Sequence, residues 1–256
     1  MDPKVMGFLE HLEELRHRII IAFIALAVAS FIAYFFSFEI LKVLMMPLPA
    51  KLPDGTPFKI NYLSVMDPFM ARIKVAILGG FLVSSPVVFY EALAFLSPAL
   101  KENEKRWVYP ILGALVALFL AGVAVCFFFV LPPAVRWLLN QGGDFFHPVL
   151  TAPEYVRFVS LFLLSFGVAF ETPLLVLLLV RLGVVQRKTL RQQWRFVYVI
   201  CFAIAALATP DWSPLPMIIL GVSLVLLYEI SMIFARFVEP KKSALGEASP
   251  VATTAK

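Results

Sequence analysis

An all-α, polytopic membrane protein with six transmembrane helices is the fold class this sequence predicts, and three observations carry that reading. Of the 256 residues, 61% are apolar and only 15% charged, with a mean hydropathy of +0.89. Apolar stretches of about 20 residues recur along the chain. At about 1.5 Å of rise per residue, each can cross a hydrocarbon core of about 30 Å. Basic residues are also shared unevenly between the segments that join these stretches, as topogenic charges are. An ordinary soluble domain does not combine these features.

The chain opens on Met1-Asp2-Pro3-Lys4, where Asp2 can cap a helix and Pro3 suits its first position. Phe8, Leu12, Leu15 and Ile19 then recur at helical spacing, so residues 3–18 read as an amphipathic helix leading into the first span, about Ile19 to Phe36. No A-x-A-like cleavage site follows that run, which is therefore expected to be retained. The second span covers about Val75 to Leu96 and contains Ser84-Ser85-Pro86, with Pro86 expected to kink it. The third covers about Val108 to Leu131 and is expected to end at Pro132-Pro133; the fourth covers about Phe158 to Val180.

The fifth and sixth spans are expected to be short. Phe196 to Ala208 gives 13 uninterrupted apolar residues, roughly 20 Å of helix, and Pro214 to Phe234 follows after Thr209-Pro210-Asp211-Trp212-Ser213. With the N-terminus in the cytoplasm, the inner segments hold 15 of the 22 lysines and arginines, so both termini are expected inside. The outer loops, about 37–69 and 132–155, carry prolines, turn signals and apolar residues, and read as caps on the outer face. One membrane domain thus covers residues 1–238, and the tail 239–256 lacks apolar periodicity and reads as disordered.

Several function classes fall away on chemistry. Cys126 and Cys201 lie inside apolar runs, and His11, His17 and His147 lack metal-ligand spacing, so no metal, cofactor or disulfide framework is implied. Neither G-x-S-x-G nor H-E-x-x-H occurs, and no catalytic residue or enzyme activity is indicated. Nothing points to nucleic acid. A proton-coupled secondary transporter using Glu171 is the alternative, weakened by the single mid-membrane acid and the lack of visible repeats.

The informative residues are acids at the membrane's inner doorstep. In "HLEELRHR", residues 11–18, Glu14 shares a helical face with His11 and Arg18, whereas Arg16 lies about 200° away from it. The bland reading of Glu14 and Arg18 is a solvated i,i+4 pair worth about 0.3–0.5 kcal/mol. The next inner loop, "SPALKENEKRW", residues 97–107, again sets acids, Glu102 and Glu104, among basic residues.

With these stretches in view, the chain resembles the TatC family of twin-arginine, Sec-independent protein translocases. "HLEELRHR" is similar to its N-terminal signature and "FLSPALKENEKR", residues 95–106, to its first cytoplasmic loop. "SFGVAFETP", residues 165–173, resembles its fourth span and "ATPD", residues 208–211, its last outer turn. The resemblance implies a receptor and core component that binds twin-arginine signal peptides of folded cargo in the cytoplasmic membrane. It implies single-span TatA and TatB partners and a homo-oligomer within a larger complex, with transport tied to the proton-motive force. It places signal-peptide binding on Glu14, Arg16 and Glu104. It marks Glu171, near the middle of the fourth span, as an intramembrane polar or partner site. Pro47, Phe69, Phe95, Pro98 and Asp211 fall in matching stretches and are secondary candidates. The roles of Glu91 and Glu229, in the inner halves of spans two and six, stay open.

Overall fold

A computed structural model describes residues 8–49, 60–96, 108–142, 150–181, 185–209 and 214–238, and nearly all of them are helical. Helix α1, Phe8–Phe35, is continuous, so the amphipathic entry and the first span are one rod. A short α2, Ser37–Leu44, follows, and then α3, Asp67–Leu96, which begins eight residues before the expected start of the second span. Pro86 lies inside α3 and cannot donate to the carbonyl of Leu82. The Ser85 hydroxyl donates to that carbonyl instead, at 2.8 Å, so the helix continues past the proline.

Helices α1 and α3 are antiparallel neighbours, and their contacts run in reverse order along the two. Arg18 meets Glu91, Ser30 faces Gly80 and Ser37 meets Arg72. Lipid is as apolar as leucine, so burying greasy side chains does not bring membrane helices together. Close packing between small residues and hydrogen bonds do. Gly80 meets that need, since its missing side chain lets the Ser30 backbone approach. Only 6% of the apolar window of α1 is buried, so almost all of its surface other than the α3 seam is left for lipid.

The third span corrects the expectation that Pro132-Pro133 ends it. Helix α4, Val108–Val125, passes into a π-helical segment, Cys126–Val130, and then into α5, Leu131–Leu139. In the wider turn the Leu131 N–H donates to the Cys126 carbonyl, five residues back. The prolines then fall in the first turn of a new helix, where no amide donor is needed.

The fourth span is also broken. Helix α6, Ala152–Phe170, stops at Glu171, and α7, Thr172–Arg181, continues after it. Pro173 has no N–H for the Ala169 carbonyl, and the Glu171 N–H turns back to the Val168 carbonyl at 3.0 Å. Helix α6 is the centre of the core: Tyr155, Val156, Val159, Phe162 and Phe166 are fully buried, with the rings of Phe158, Phe162 and Phe166 in contact along one face.

A small α8, Arg187–Gln192, leads to the short fifth span α9, Trp194–Ala208, as expected. The sixth helix corrects the other half of that expectation. Helix α10 runs from Pro214 to Val238, 25 residues, because no breaker interrupts it after Phe234. Among the described residues, five helical segments are long and apolar enough to cross a membrane, and α9 is a shorter sixth.

At the end away from the N-terminus the two loop regions are fastened together. Asn61 and Thr151 form a parallel bridge, with Asn61 N–H donating to Leu150 and Ala152 N–H to Asn61. Tyr155 donates its hydroxyl to the Leu44 carbonyl at 2.6 Å, and Lys74 donates to the Pro153 carbonyl at 3.1 Å. Arg72 lies 4.4 Å from the ring centres of both Tyr34 and Phe38 and donates to Ser37. Arg72 and Lys74 are therefore both held by protein groups. Residues 239–256 lie outside the described residues.

Candidate functional site

Two helices bring the doorstep residues together. At the N-terminal end of α1, His11, Glu14 and Arg18 share the face turned towards the last turns of α3, which supply Glu91 and Phe95. The His11 and Phe95 rings stack with centres 4.4 Å apart, closing one side. Arg18 donates Nη2 and Nε to Glu14 Oε1, at 2.7 and 3.0 Å, and Nη1 to Glu91 Oε2 at 3.0 Å. One guanidinium thus bridges two carboxylates from different helices, a use of the planar fork that an ammonium does not match.

The set carries two carboxylates and one guanidinium, hence one excess negative charge. It is partly withdrawn from water: the Glu14 side chain is 18% exposed and that of Glu91 11%. Glu14 Oε2 is buried, and no donor among the described residues forms a hydrogen bond with it; His11 Nδ1 stands 3.9 Å away. A buried acceptor without a donor is costly, so this atom is a ready place for an incoming cationic N–H group. Arg16 is exposed.

The other candidates separate from this cluster. Glu104 and Pro98 lie outside the described residues, as does Asp211. Pro47 is buried and Phe69 exposed, both at the opposite end of the molecule. Phe69 and Phe95 belong to the same helix, roughly 39 Å apart along its axis, so they cannot line one pocket. Asp67 accepts the N–H groups of Leu63 and Ser64, at 2.9 and 3.0 Å, which is turn chemistry that starts α3.

Glu171 occupies the break between α6 and α7 and is 4% exposed. Neither of its carboxylate oxygens has a hydrogen-bond partner of good geometry among the described residues, although the Phe119 backbone lies beside it. Gly122 on the facing helix would place a Cβ only 2.7 Å from the Phe166 carbonyl, so the third span presses closely on the helix that ends at Glu171.

Sequence reasoning left Glu91 and Glu229 without roles, and both acquire partners here. Glu229 accepts from Arg191 at 2.8 Å and from the Tyr198 hydroxyl at 2.7 Å, while Tyr228 donates to Leu190 at 3.0 Å. These bonds tie α8 and α9 to the sixth helix. Glu91 joins the doorstep site through a partner 73 residues away in sequence. The signal in the sequence was an acid shortly before the second acidic loop.

Comparison with known proteins agrees with this arrangement. The family model described as Sec-independent protein translocase protein (TatC) matches residues 10–222. A Sec-independent protein translocase protein TatC from Carboxydothermus hydrogenoformans is 33% identical over 242 residues, 94% of this chain and 98% of the relative. Its counterpart from Aquifex aeolicus is 34% identical over 245 residues, 95% of this chain and all of the relative. A crystal structure described as the twin arginine translocase receptor TatC superposes with a TM-score of 0.78 at 34% identity, covering 90% of this chain and 99% of that one. A second, in DDM, gives a TM-score of 0.77 at 35% identity, over 88% and 99%. These likenesses lend nothing to the small-molecule transporter reading. The protein is a multi-pass membrane protein, and the chain belongs to the TatC family of Sec-independent protein translocase proteins.

Proposed function

We propose that the chain is the receptor component of a twin-arginine translocase in the cytoplasmic membrane. Both termini face the cytoplasm, and Glu14 and Glu104 hold the paired arginines of a signal peptide. The observation that carries the reading is the buried Oε2 of Glu14, which has no donor among the described residues and sits beside a guanidinium that already satisfies the other oxygen. The site's own chemistry thus suits the ligand class that the solved relatives' name describes.

Glu104 follows Phe95 by nine residues, a length of chain that can reach up to about 30 Å, so connectivity permits it to meet the second arginine beside Glu14. Arg16 orients the same helix end through its charge at the membrane surface. Exposed ion pairs contribute only about 0–1 kcal/mol each, so transfer of the signal's apolar stretch from water into the membrane beside the spans supplies much of the affinity. TatA and TatB-type single-span proteins are the assembly partners in this reading. Glu171 is the intramembrane acceptor for a polar group that such a partner brings, since an acid inside a span seeks a donor. Exposed Phe69 offers a separate contact on the opposite face, where a partner's outer segment can rest, whereas Pro47 is buried there.

The deciding experiment compares a labelled twin-arginine signal peptide with its twin-lysine counterpart, using the full chain in membrane vesicles. Glu14→Gln and Glu104→Gln should each remove most of the preference for arginine. If the double variant still prefers the twin-arginine peptide as wild type does, the receptor site lies elsewhere.

A further inference from the structure

The guanidinium that fills the doorstep site belongs to the protein itself, and that has a regulatory consequence. Arg18 makes with Glu14 the contact that an arriving arginine requires, using two of its N–H groups on one carboxylate oxygen. It also holds a third N–H on Glu91, which comes from another helix and has no other described partner. The geometry points to Arg18 as a resident place-holder and Glu91 as the carboxylate onto which it withdraws when a signal arginine takes Glu14. This inference rests on the receptor reading of Glu14 given above.

Each part of the device is present. Arg18 is only partly buried, with a side-chain exposure of 24%, so its long stem can pivot between the two acids without repacking the core. Glu91 is nearly buried, which makes an unpaired charge there unfavourable and keeps it bonded to Arg18 in both positions. The excess negative charge of the trio leaves room for one more cation. After one has bound, Arg18 sits on Glu91, the ligand sits on Glu14, and the site is neutral. A lysine on the ligand adds the charge but cannot present a two-pronged edge to the vacated carboxylate. The exchange of one guanidinium for another costs little, and replacing it with a different cation costs more. Arg18 therefore raises selectivity at the expense of affinity.

The test is a double-mutant cycle on twin-arginine peptide binding to the full chain in membrane vesicles. Arg18→Gln removes the competitor and should tighten binding about fivefold, the factor matching about 1 kcal/mol for a partly exposed pair. Glu91→Gln leaves Arg18 wholly on Glu14 and should weaken binding by a similar factor. Simple long-range charge effects give the same two signs, so the combination decides. If Arg18 is the place-holder, Glu91→Gln has no effect in the Arg18→Gln background. If Glu91→Gln costs the same with or without Arg18, Glu91 acts through its field alone and the inference is overturned, as it is if Arg18→Gln weakens binding. Arg18→Lys, which keeps the charge but gives up the bridge, guards against a folding artefact. It should tighten binding less than Arg18→Gln and leave the protein's elution on size exclusion unchanged. A Glu14→Gln variant that binds normally overturns the receptor reading itself. One that loses binding while Glu91 and Arg18 variants behave as wild type overturns only the place-holder.

Discussion

Gly80→Ala tests whether the close approach of the first two spans governs both stability and the doorstep site. A Cβ on Gly80 would lie 2.6 Å from both the Cα and the N of Ser30, and closer still to its hydroxyl. Backbone atoms cannot rotate aside, so α1 and α3 must part by about 1 Å, an overpacking strain that costs about 1–3 kcal/mol. For a chain of this size that corresponds to a fall in thermal midpoint of about 2–4 °C per kcal/mol. The consequence extends to the site. Glu91 lies roughly 16 Å further along α3, and its 3.0 Å bond to Arg18 spans the same seam. Widening by about 1 Å takes it beyond hydrogen-bonding range. Cys126 and Cys201 are buried and free, so a thiol-reactive dye reports unfolding of the protein in mild detergent without added labels. Gly113→Ala is the control, because a Cβ there meets nothing within 4 Å, and the change should be neutral or mildly stabilising. An unchanged midpoint for Gly80→Ala, or an equal fall for Gly113→Ala, would refute the reasoning.

Two more variants address charges elsewhere. Glu171→Gln keeps hydrogen-bonding capacity and cannot ionise; because Glu171 is buried without a well-formed donor bond among the described residues, export of a twin-arginine reporter should persist with Gln and fall at least about tenfold with Glu171→Leu. Loss of export in the Gln variant would mean that the ionised form is required. Arg72→Lys should lower the thermal midpoint by an amount matching about 1–2 kcal/mol, since an ammonium cannot lie against Tyr34 and Phe38 and also donate to Ser37 as the guanidinium does. An unaltered midpoint would show that the rings merely border the cation.

What could be read from the sequence was what depends on local periodicity. The apolar runs located all six spans, because a helix's lipid-facing surface must be greasy whatever it packs against. The breaks were harder. Pro132-Pro133 signals a stop by every local rule, and only the π-helical turn before it turns the pair into a start. The fourth span reads as uninterrupted, yet it breaks at Glu171 before Pro173, whereas Pro86 leaves a continuous helix because Ser85 takes the orphaned carbonyl. Whether a proline breaks a span depends on a neighbouring hydroxyl as much as on the proline. Glu14 and Arg18 are one helical turn apart and could be paired by counting. Glu91 could not, since its partner is 73 residues away and only the reversed register of α1 against α3 brings the two into contact.

The same register explains why a receptor for arginines would be built around an arginine. Two carboxylates brought together where two helices meet repel each other, and Arg18 offsets that repulsion before a ligand arrives. Lysine would have served for charge alone, but it would bind either acid loosely and leave the geometry of the site open. Arginine fixes both acids in the positions that a second guanidinium can use. The structural requirement and the selectivity then have one source: the shape that holds the helices is the shape the ligand must have. On this reasoning, preference for twin arginine over twin lysine should survive at high salt, where screened attraction fades and the directional hydrogen bonds remain.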